Sequence, residues 1–148
     1  MPVLGVKRLE HVFAAAASLD VDKSDLKRHD EFLARKIADM LLRGNAIANA
    51  NAREVIEPQD LPITKGLQER MHEFRALDDA NAEEILAQKV AIPPGDWVIS
   101  DDTMAMLPEV AGGLSVALAK SFKVIDPDLK NPQTEHWDRA FELFDLLL

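Results

Sequence analysis

The chain contains no cysteine, so it can form neither a disulfide bond nor a reactive thiolate. This absence agrees with a reducing cytoplasm, which is the location we expect. No run approaches the roughly 18 apolar residues of a transmembrane helix, so we expect no membrane contact. A basic pair, Lys7-Arg8, precedes an apolar run as in a signal peptide. Glu10 and His11 interrupt that run, which favours a short amphipathic helix.

The sequence also lacks the spacings of the common catalytic and metal sites. None of the four histidines has a partner of the His-x-x-x-His type, as a helical metal site requires. No serine lies in a nucleophile elbow, and the glycines form no phosphate-binding loop. The pair Gly112-Gly113 indicates a helix crossing instead. We therefore expect no enzymatic activity, no cofactor, no metal and no small-molecule substrate.

One tetrapeptide, Glu135-His136-Trp137-Asp138, allows a catalytic interpretation, because an imidazole between two acids could act as a base. Consecutive residues of a helix point in different directions, however. We therefore favour a structural interpretation, in which Trp137 anchors the core and Asp138 caps or pairs.

The charge balance is acidic and uneven along the chain. Of 148 residues, 17 are Lys or Arg and 26 are Asp or Glu, which gives a net charge of −9. Residues 1–78 hold 12 basic and 13 acidic side chains, whereas residues 79–148 hold 5 and 13. Nucleic-acid binding depends on clustered Lys and Arg, so the second half is poorly suited to it. The first half offers at most a local basic patch.

A long amphipathic helix dominates the first half. Ser24 is its predicted N-cap, and apolar residues then recur every three or four positions to about Ala50. Such a helix cannot bury its apolar stripe alone, so shorter elements must pack across it. Gly44 lies within the pattern, and we attribute it to the close approach of another helix.

A short extended segment, Glu54-Val55-Ile56, follows the long helix. Pro58 then opens a third helix that we predict to reach Leu77, and Asp60 lies in its first turn, where the helix dipole favours an acid. Arg53 precedes this acid in the loop. We predict that Arg53 and Asp60 form an ion pair that clamps the loop to the helix.

The long helix, the loop Arg53-x-x-Ile56-x-x-x-Asp60-Leu61 and the third helix resemble the second half of a histone fold. Other stretches resemble a bacterial family of uncharacterised proteins, a domain of unknown function, in which two histone-fold halves are fused in one chain. These stretches are Asp20-Val-Asp-Lys-Ser-Asp-Leu-Lys, Val55-Ile-Glu-Pro-Gln-Asp-Leu-Pro, Thr64-Lys-Gly-Leu-Gln and Asn131-Pro-Gln-Thr-Glu-His-Trp. The resemblance covers nearly the whole chain. It implies an all-α, tandem pseudo-dimer of two helix–long helix–helix halves paired head to tail, and no established reaction.

The second half repeats the order short, long, short, so we predict one domain, 1–148, with halves 1–78 and 79–148. A short helix is expected over 82–90. A second long helix should run from a Ser100 cap to Ile125, and a last helix should begin at Glu135. Pro108, within the second long helix, predicts a kink or a break.

Histone-fold halves pair so that the first loop of each meets the second loop of the other as short parallel strands. Carried over to this chain, the resemblance implies that Trp97-Val98-Ile99 lies beside Glu54-Val55-Ile56. It also implies that 20–22 lies beside 132–134. Both contacts would form within one chain.

In DNA-binding histones the paired loops and the ends of the first helices face phosphates. The corresponding candidate contacts here are basic residues of the first half and of the opposed loop, namely Lys7, Arg8, Lys23, Lys27, Arg28 and Lys130. Acidic residues lie between them, so a mixed solvated surface is the simpler interpretation. Any DNA contact would be weak and salt-sensitive.

Two hypotheses about function follow. The first is a non-enzymatic, histone-like structural protein that acts through a protein partner or through self-association. The alternative is a weakly DNA-binding, nucleoid-associated protein that uses the basic residues of the first half. The net charge of −9 favours the first hypothesis over the second.

Overall fold

The computed structural model describes the backbone of residues 6–77 and 92–148, and the side chains from residue 9 onward within these ranges. Within this part of the chain the regular structure is helical, which confirms the predicted all-α class. The α-helices are α1 (Val6–Ala17), α2 (Lys23–Ala50), α3 (Lys65–Leu77), α4 (Asp101–Ile125) and α5 (Thr134–Leu147). The predicted helix at 82–90 and the predicted boundary between the halves lie outside the described residues.

The long helix α2 begins earlier than predicted, because its N-cap is Asp22 and not Ser24. The Asp22 side chain accepts hydrogen bonds from the backbone N–H groups of Ser24 and Asp25. Asp25 returns the contact, since its carboxylate accepts from the Asp22 N–H at 3.0 Å. This reciprocal arrangement satisfies more of the free N–H groups at the helix start than a serine cap would. The hydrogen bond that the Ser24 hydroxyl donates to the Asp22 carboxylate lowers the pKa of Asp22.

The predicted third helix is interrupted near its start. A single 3-10 turn, Pro58–Asp60, is followed by an extended Leu61, and α3 begins only at Lys65. The reason is Pro62, because a proline ring disfavours the helical conformation of the residue before it. Thr64 then caps α3, its hydroxyl accepting from the Leu67 N–H at 3.1 Å.

The second long helix, α4, runs from its Ser100 cap to Ile125 as predicted. The Ser100 hydroxyl accepts from the Thr103 N–H at 3.1 Å. The helix continues through Pro108, so of the predicted kink or break the break is wrong, and the kink stays a prediction. Pro108 is buried, and the packing of this helix outweighs the one backbone hydrogen bond that a proline removes.

One contiguous core joins helices from before and after the undescribed segment. Phe13 of α1, Phe122 of α4 and Trp137 of α5 form its aromatic centre, with ring centroids 5.0 to 6.4 Å apart. All three side chains are fully buried. Such ring contacts add stability beyond the burial of apolar area, so they hold α5 firmly against the rest of the molecule.

Glycines permit two close approaches. At Gly112 and Gly113 a Cβ atom would collide with Phe74 and Met71 of α3, which confirms the predicted helix crossing there. At Gly44 of α2, by contrast, the nearest neighbours are Ile56 Cγ2 at 3.2 Å and Asp60 O at 3.4 Å. The close approach at Gly44 is therefore made by the loop after α2 together with its 3-10 turn, and not by an α-helix.

Candidate functional site

Arg53 and Asp60 form a two-pronged ion pair at the end of α2. Arg53 Nη1 donates to Asp60 Oδ2 at 2.5 Å, and Nη2 donates to Oδ1 at 2.7 Å. The carboxylate is buried, with 1% of its side chain exposed, and it also accepts from the Glu57 N–H at 2.8 Å. The hydrogen bonds from Arg53 hold the pKa of Asp60 below its ordinary value, and Asp60 raises the pKa of Arg53. The pair fastens both ends of the intervening loop to each other.

The fastened loop meets the segment before α4. Ile56 and Ile99 form a parallel β-bridge, in which the Ile56 N–H donates to Val98 O at 2.8 Å. The Ser100 N–H donates to Ile56 O at 3.2 Å, and the Thr103 hydroxyl donates to the same oxygen at 2.9 Å. Ile56 is therefore bonded on both sides by groups 42 or more positions away in the chain.

Val98 takes part through its carbonyl, whereas Glu54, Val55 and Trp97, also predicted for this pairing, make no backbone hydrogen bond across it among the described residues. Glu54 is exposed, and the Val55 carbonyl accepts a long hydrogen bond of 3.4 Å from Arg53. Trp97 turns back on its own segment, its indole N–H donating to Pro93 O at 2.9 Å.

A second loop contact lies between the segment before α2 and the segment before α5. The Asp20 N–H donates to Lys130 O at 2.7 Å, and the Arg28 guanidinium donates to the Thr134 hydroxyl at 2.7 Å. The predicted pairing of 20–22 with 132–134 is therefore wrong in register, because its backbone bond falls at Lys130. Pro132 has no N–H and the Gln133 N–H is already bonded to His136 Nδ1 at 2.9 Å, so neither residue can donate to 20–22 as a parallel ladder would require.

The candidate DNA contacts lie near this second loop contact. Lys23, Lys27 and Lys130 are exposed, and none of them has an ion-pair partner among the described residues. Arg28 is half-buried and bonded to Thr134, as given above. The side chains of residues 7 and 8 lie outside the described part of the chain. These three exposed lysines near the second loop contact are fewer than the phosphate contacts of a typical DNA-binding protein.

The tetrapeptide at the start of α5 has a structural arrangement. His136 is buried, its Nδ1 caps α5 by accepting from Gln133, and its Nε2 lies 3.6 Å from Asp126 Oδ2. Trp137 is in the core, while Glu135 and Asp138 are exposed. Among the described residues no group of three or more His, Cys, Asp or Glu side chains is placed to hold a metal ion. No helix in the same residues is long and apolar enough to span a bilayer.

Three polar contacts link buried side chains of α2 to later parts of the chain. His29 contacts Ser115 at 2.8 Å, and Trp137 donates its indole N–H to Asp25 Oδ1 at 2.9 Å. Lys36, with 1% of its area exposed, donates to Asp145 Oδ1 at 2.6 Å. Sequence reasoning missed all three. Their positions in the sequence could have indicated burial, because these α2 residues fall on the apolar stripe of the helix.

Sequence reasoning also missed a surface depression, which we call the aliphatic groove. Its main part, of about 480 Å³, lies between α3, α4 and α5. A second part, of about 470 Å³, continues from it along α2. The main part is lined by Thr64, Leu67, Ala117, Ser121, Val124, Leu143, Phe144, Leu147 and Leu148. The second part shares Thr64, Leu147 and Leu148 and adds side chains of α2, among them Leu42 and Arg43.

Over residues 6–77 and 92–148 these features define an all-α arrangement with one core, two loop contacts and an exposed aliphatic groove. The model of a family described as a domain of unknown function, DUF1931, matches residues 9–145. The chain therefore belongs to this family.

The chain is also similar to other proteins and to solved structures. Two uncharacterised proteins of Aquifex aeolicus (strain VF5) are similar in sequence. One is 23% identical over 142 residues, which cover 95% of this chain and 82% of that protein. The other is 27% identical over 136 residues, covering 82% of this chain and 79% of that protein.

The chain is 47% identical in sequence to a protein from Thermus thermophilus whose crystal structure is known. The two structures have a TM-score of 0.85, and 99% of both chains is covered. The chain is 20% identical in sequence to a protein from Aquifex aeolicus whose crystal structure is known. The TM-score is 0.76, and the match covers 96% of this chain and 94% of that one. The second likeness shows the fold alone.

Proposed function

We propose that this protein is a non-enzymatic, histone-like structural protein, whose two histone-fold halves pair within one chain and which acts through protein contacts. The observation that carries the pairing is the parallel bridge between Ile56 and Ile99. It joins the loop after the long helix α2 to the loop before the long helix α4, which is the head-to-tail relation that histone-fold pairing requires.

Two further observations support the pairing. The backbone bond from Asp20 to Lys130 joins the loop before α2 to the loop after α4, so each long helix is flanked by one contact at each end. The aromatic centre takes Phe13 from the first half and both Phe122 and Trp137 from the second. Neither half could keep these rings dry alone, which favours a single cooperative unit.

Action through protein contacts is supported by the surface. The chain carries a net charge of −9, which opposes association with the phosphate backbone of nucleic acids. The aliphatic groove exposes large apolar side chains together, and such patches on soluble proteins mark contact sites.

The alternative, weak DNA binding, is favoured by one observation. Lys23, Lys27 and Lys130 are exposed at the second loop contact without ion-pair partners among the described residues. A fluorescence titration of a labelled DNA duplex at about 50 mM salt separates the two functions. We expect no saturable binding below about 10 µM, whereas tight binding that weakens with salt and is lost in a triple Lys→Glu variant at these positions would favour the alternative.

The protein-contact function is tested by affinity capture from native cell extract, with and without nuclease. We expect wild-type protein to retain partners that survive nuclease treatment. The matched control is Leu147→Asp, whose side chain is 79% exposed in the groove, so the variant should fold and lose those partners. Retention that depends on intact nucleic acid would argue against the proposal.

A further inference from the structure

We propose that His136 is a proton-operated cap of α5: the neutral ring holds the loop before this helix, and the protonated ring releases that loop and pairs with Asp126. The inference goes beyond the proposed function, because it concerns how one loop contact is controlled and not what the protein binds. It rests on the contacts at the two ring nitrogens of a side chain that is only 8% exposed.

The Nδ1 atom of His136 is fixed as a hydrogen-bond acceptor. The Gln133 N–H donates to it at 2.9 Å, and a backbone N–H group can only donate. In this arrangement Nδ1 carries no proton, so the neutral ring has its proton on Nε2. A second proton would have to go to Nδ1. Two donors would then face each other, and the contact between His136 and Gln133 would break.

The other ring nitrogen of His136 faces negative charge. Nε2 lies 3.6 Å from Asp126 Oδ2, at the end of α4, and 3.9 Å from Glu135 Oε1. These distances are too long for strong hydrogen bonds from a neutral ring, but a positively charged ring would gain from both carboxylates. Asp126 has no Lys or Arg partner among the described residues, so its charge remains available to the ring.

Charges on the elements around this turn act in both directions. Asp126 of α4 and Glu135 of α5 favour a positive ring, whereas Arg28 of α2 and the positive end of the α5 dipole oppose it. Other charged side chains near the turn are bonded elsewhere or face solvent, namely Asp20, Asp25, Lys123, Asp128, Lys130 and Asp138. Because favourable and unfavourable charges oppose each other, neither the capped nor the protonated state is excluded by the surroundings.

Release of the cap costs little, because the loop meets water. Gln133 is exposed, so water can accept from its N–H once Nδ1 no longer does. Helix α5 stays in place meanwhile, since Trp137 is buried in the core. Histidine is the side chain that ordinarily takes up its proton between pH 5 and 8, so modest acidification can exchange one contact for the other. The released loop carries Lys130, whose carbonyl holds Asp20, so the exchange sets how firmly the second loop contact is held.

Amide hydrogen exchange followed by NMR on the full chain tests the proposal. We expect the Gln133 amide of wild-type protein to lose about tenfold in protection between pH 8 and pH 5, after correction for intrinsic exchange. The ring nitrogen shifts of His136 should change from the Nε2–H tautomer to the doubly protonated ring with the same midpoint. The internal control is the Thr103 amide, which is bonded to the Ser100 hydroxyl, a group that does not titrate in this range. This amide should keep its protection.

Two variants distinguish a proton-operated cap from a purely structural one. His136→Asn retains an acceptor for the Gln133 N–H but cannot gain a proton, so protection of this amide should be the same at pH 8 and pH 5. Asp126→Asn removes a charge that favours the positive ring, so the loss of protection should move to lower pH.

Three results would overturn the proposal: Gln133 protection that stays constant in wild-type protein, protection that falls equally in His136→Asn, or protection that falls equally at Thr103. The wild-type measurement, with Thr103 as its control, decides the question by itself if either variant fails to fold.

Discussion

His29 and Ser115 form a hydrogen bond of 2.8 Å between the two long helices, in the interior of the protein. The Ser115 hydroxyl donates its only proton to Ala111 O at 2.8 Å, so it must accept from His29 Nε2. His29 Nε2 therefore carries a proton, and the buried Nδ1 has no partner among the described residues, which favours the neutral ring. Burial lowers the pKa of His29 from 6.5 to about 3.

This histidine should make stability depend on pH well above the range of the carboxylates. Below pH 6.5 the unfolded chain binds a proton at His29 that the folded chain excludes until about pH 3. Stability contributed by the neutral ring is thus fully present above pH 6.5 and is lost as the pH falls. We expect the free energy of unfolding, measured by urea denaturation, to fall by about 2 kcal/mol between pH 7 and pH 5.

Two histidine variants separate this effect from other titrations. His29→Gln should abolish most of the loss between pH 7 and pH 5, whatever its stability at pH 7. His72→Gln, at an exposed position of α3, should retain the loss. A pH dependence that is the same in both variants would contradict the assignment. Asp60 and Asp145 do not interfere, because their pKa values lie below the ordinary 3.8.

The limits of sequence reasoning are visible in α2 itself. The apolar stripe and the end of the helix near Ala50 follow from spacing and were predicted. The roles of Asp25 and His29 were not, because each depends on a partner more than 80 residues away, Trp137 and Ser115 respectively. Periodicity reports which face of a helix is buried. It does not report which distant group faces a polar side chain on that face.

The loops show the same difference between local contacts, which can be predicted, and distant contacts, which cannot. An arginine seven residues before an acid at a helix start indicates a local ion pair, and local chemistry suffices to predict such a contact. The second loop contact depends instead on which backbone groups are free. Pro132 has no N–H and Gln133 uses its own in capping α5, so neither can donate to 20–22, and the contact consists of a bond from the Asp20 N–H to the Lys130 carbonyl.

The ion pair of Arg53 with Asp60 should contribute measurably to thermal stability. Arg53→Ala leaves a buried carboxylate without its two strongest donors, so we expect the melting temperature at pH 7 to fall by about 3–8 °C. Arg53→Lys should recover only part of the loss, because an ammonium group cannot make the two-pronged contact.

The control is Lys65→Ala, which removes an exposed pair with Glu69 and should leave the melting temperature nearly unchanged. Asp60 has a lowered pKa, so its contribution is present above pH 3.8 and is lost as the pH falls below that value. The Arg53→Ala and wild-type melting temperatures should therefore converge in strong acid. A constant difference down to pH 2 would contradict this origin of the effect.

The crossing of α3 over α4 should be intolerant of a single added methyl group. A Cβ at Gly113 would lie 2.9 Å from Met71 N and 3.1 Å from Met71 Cα, so the backbone of α3 would have to move. We expect Gly113→Ala to lower the free energy of unfolding by about 1–3 kcal/mol, although alanine is the better helix former. Gly66→Ala is the matched control. Its nearest neighbour would be Thr64 Oγ1 at 4.0 Å, so urea denaturation should show no loss or a small gain.

Lys36 carries a charge into the interior, and its substitution separates packing from pairing. Its Nζ lies 2.6 Å from Asp145 Oδ1 and 3.2 Å from Asp39 Oδ2, while its stem is fully buried. The hydrogen bond from Lys36 lowers the pKa of Asp145. Lys36→Ala removes both the stem and the charge, and we expect a loss of about 2–4 kcal/mol in the free energy of unfolding.

Lys36→Met keeps a stem of similar length and removes the cost of desolvating the ammonium group. Replacing a buried charge by an apolar group of similar shape is often neutral or stabilising, so Lys36→Met should lie within about 1 kcal/mol of wild type in urea denaturation at pH 7. Asp145→Asn should destabilise the wild-type chain, because it leaves the buried ammonium with Asp39 as its remaining partner, but should have little effect on Lys36→Met. Equal losses from Lys36→Met and Lys36→Ala would show instead that the ion pair, and not the packing of the stem, holds α5 against α2.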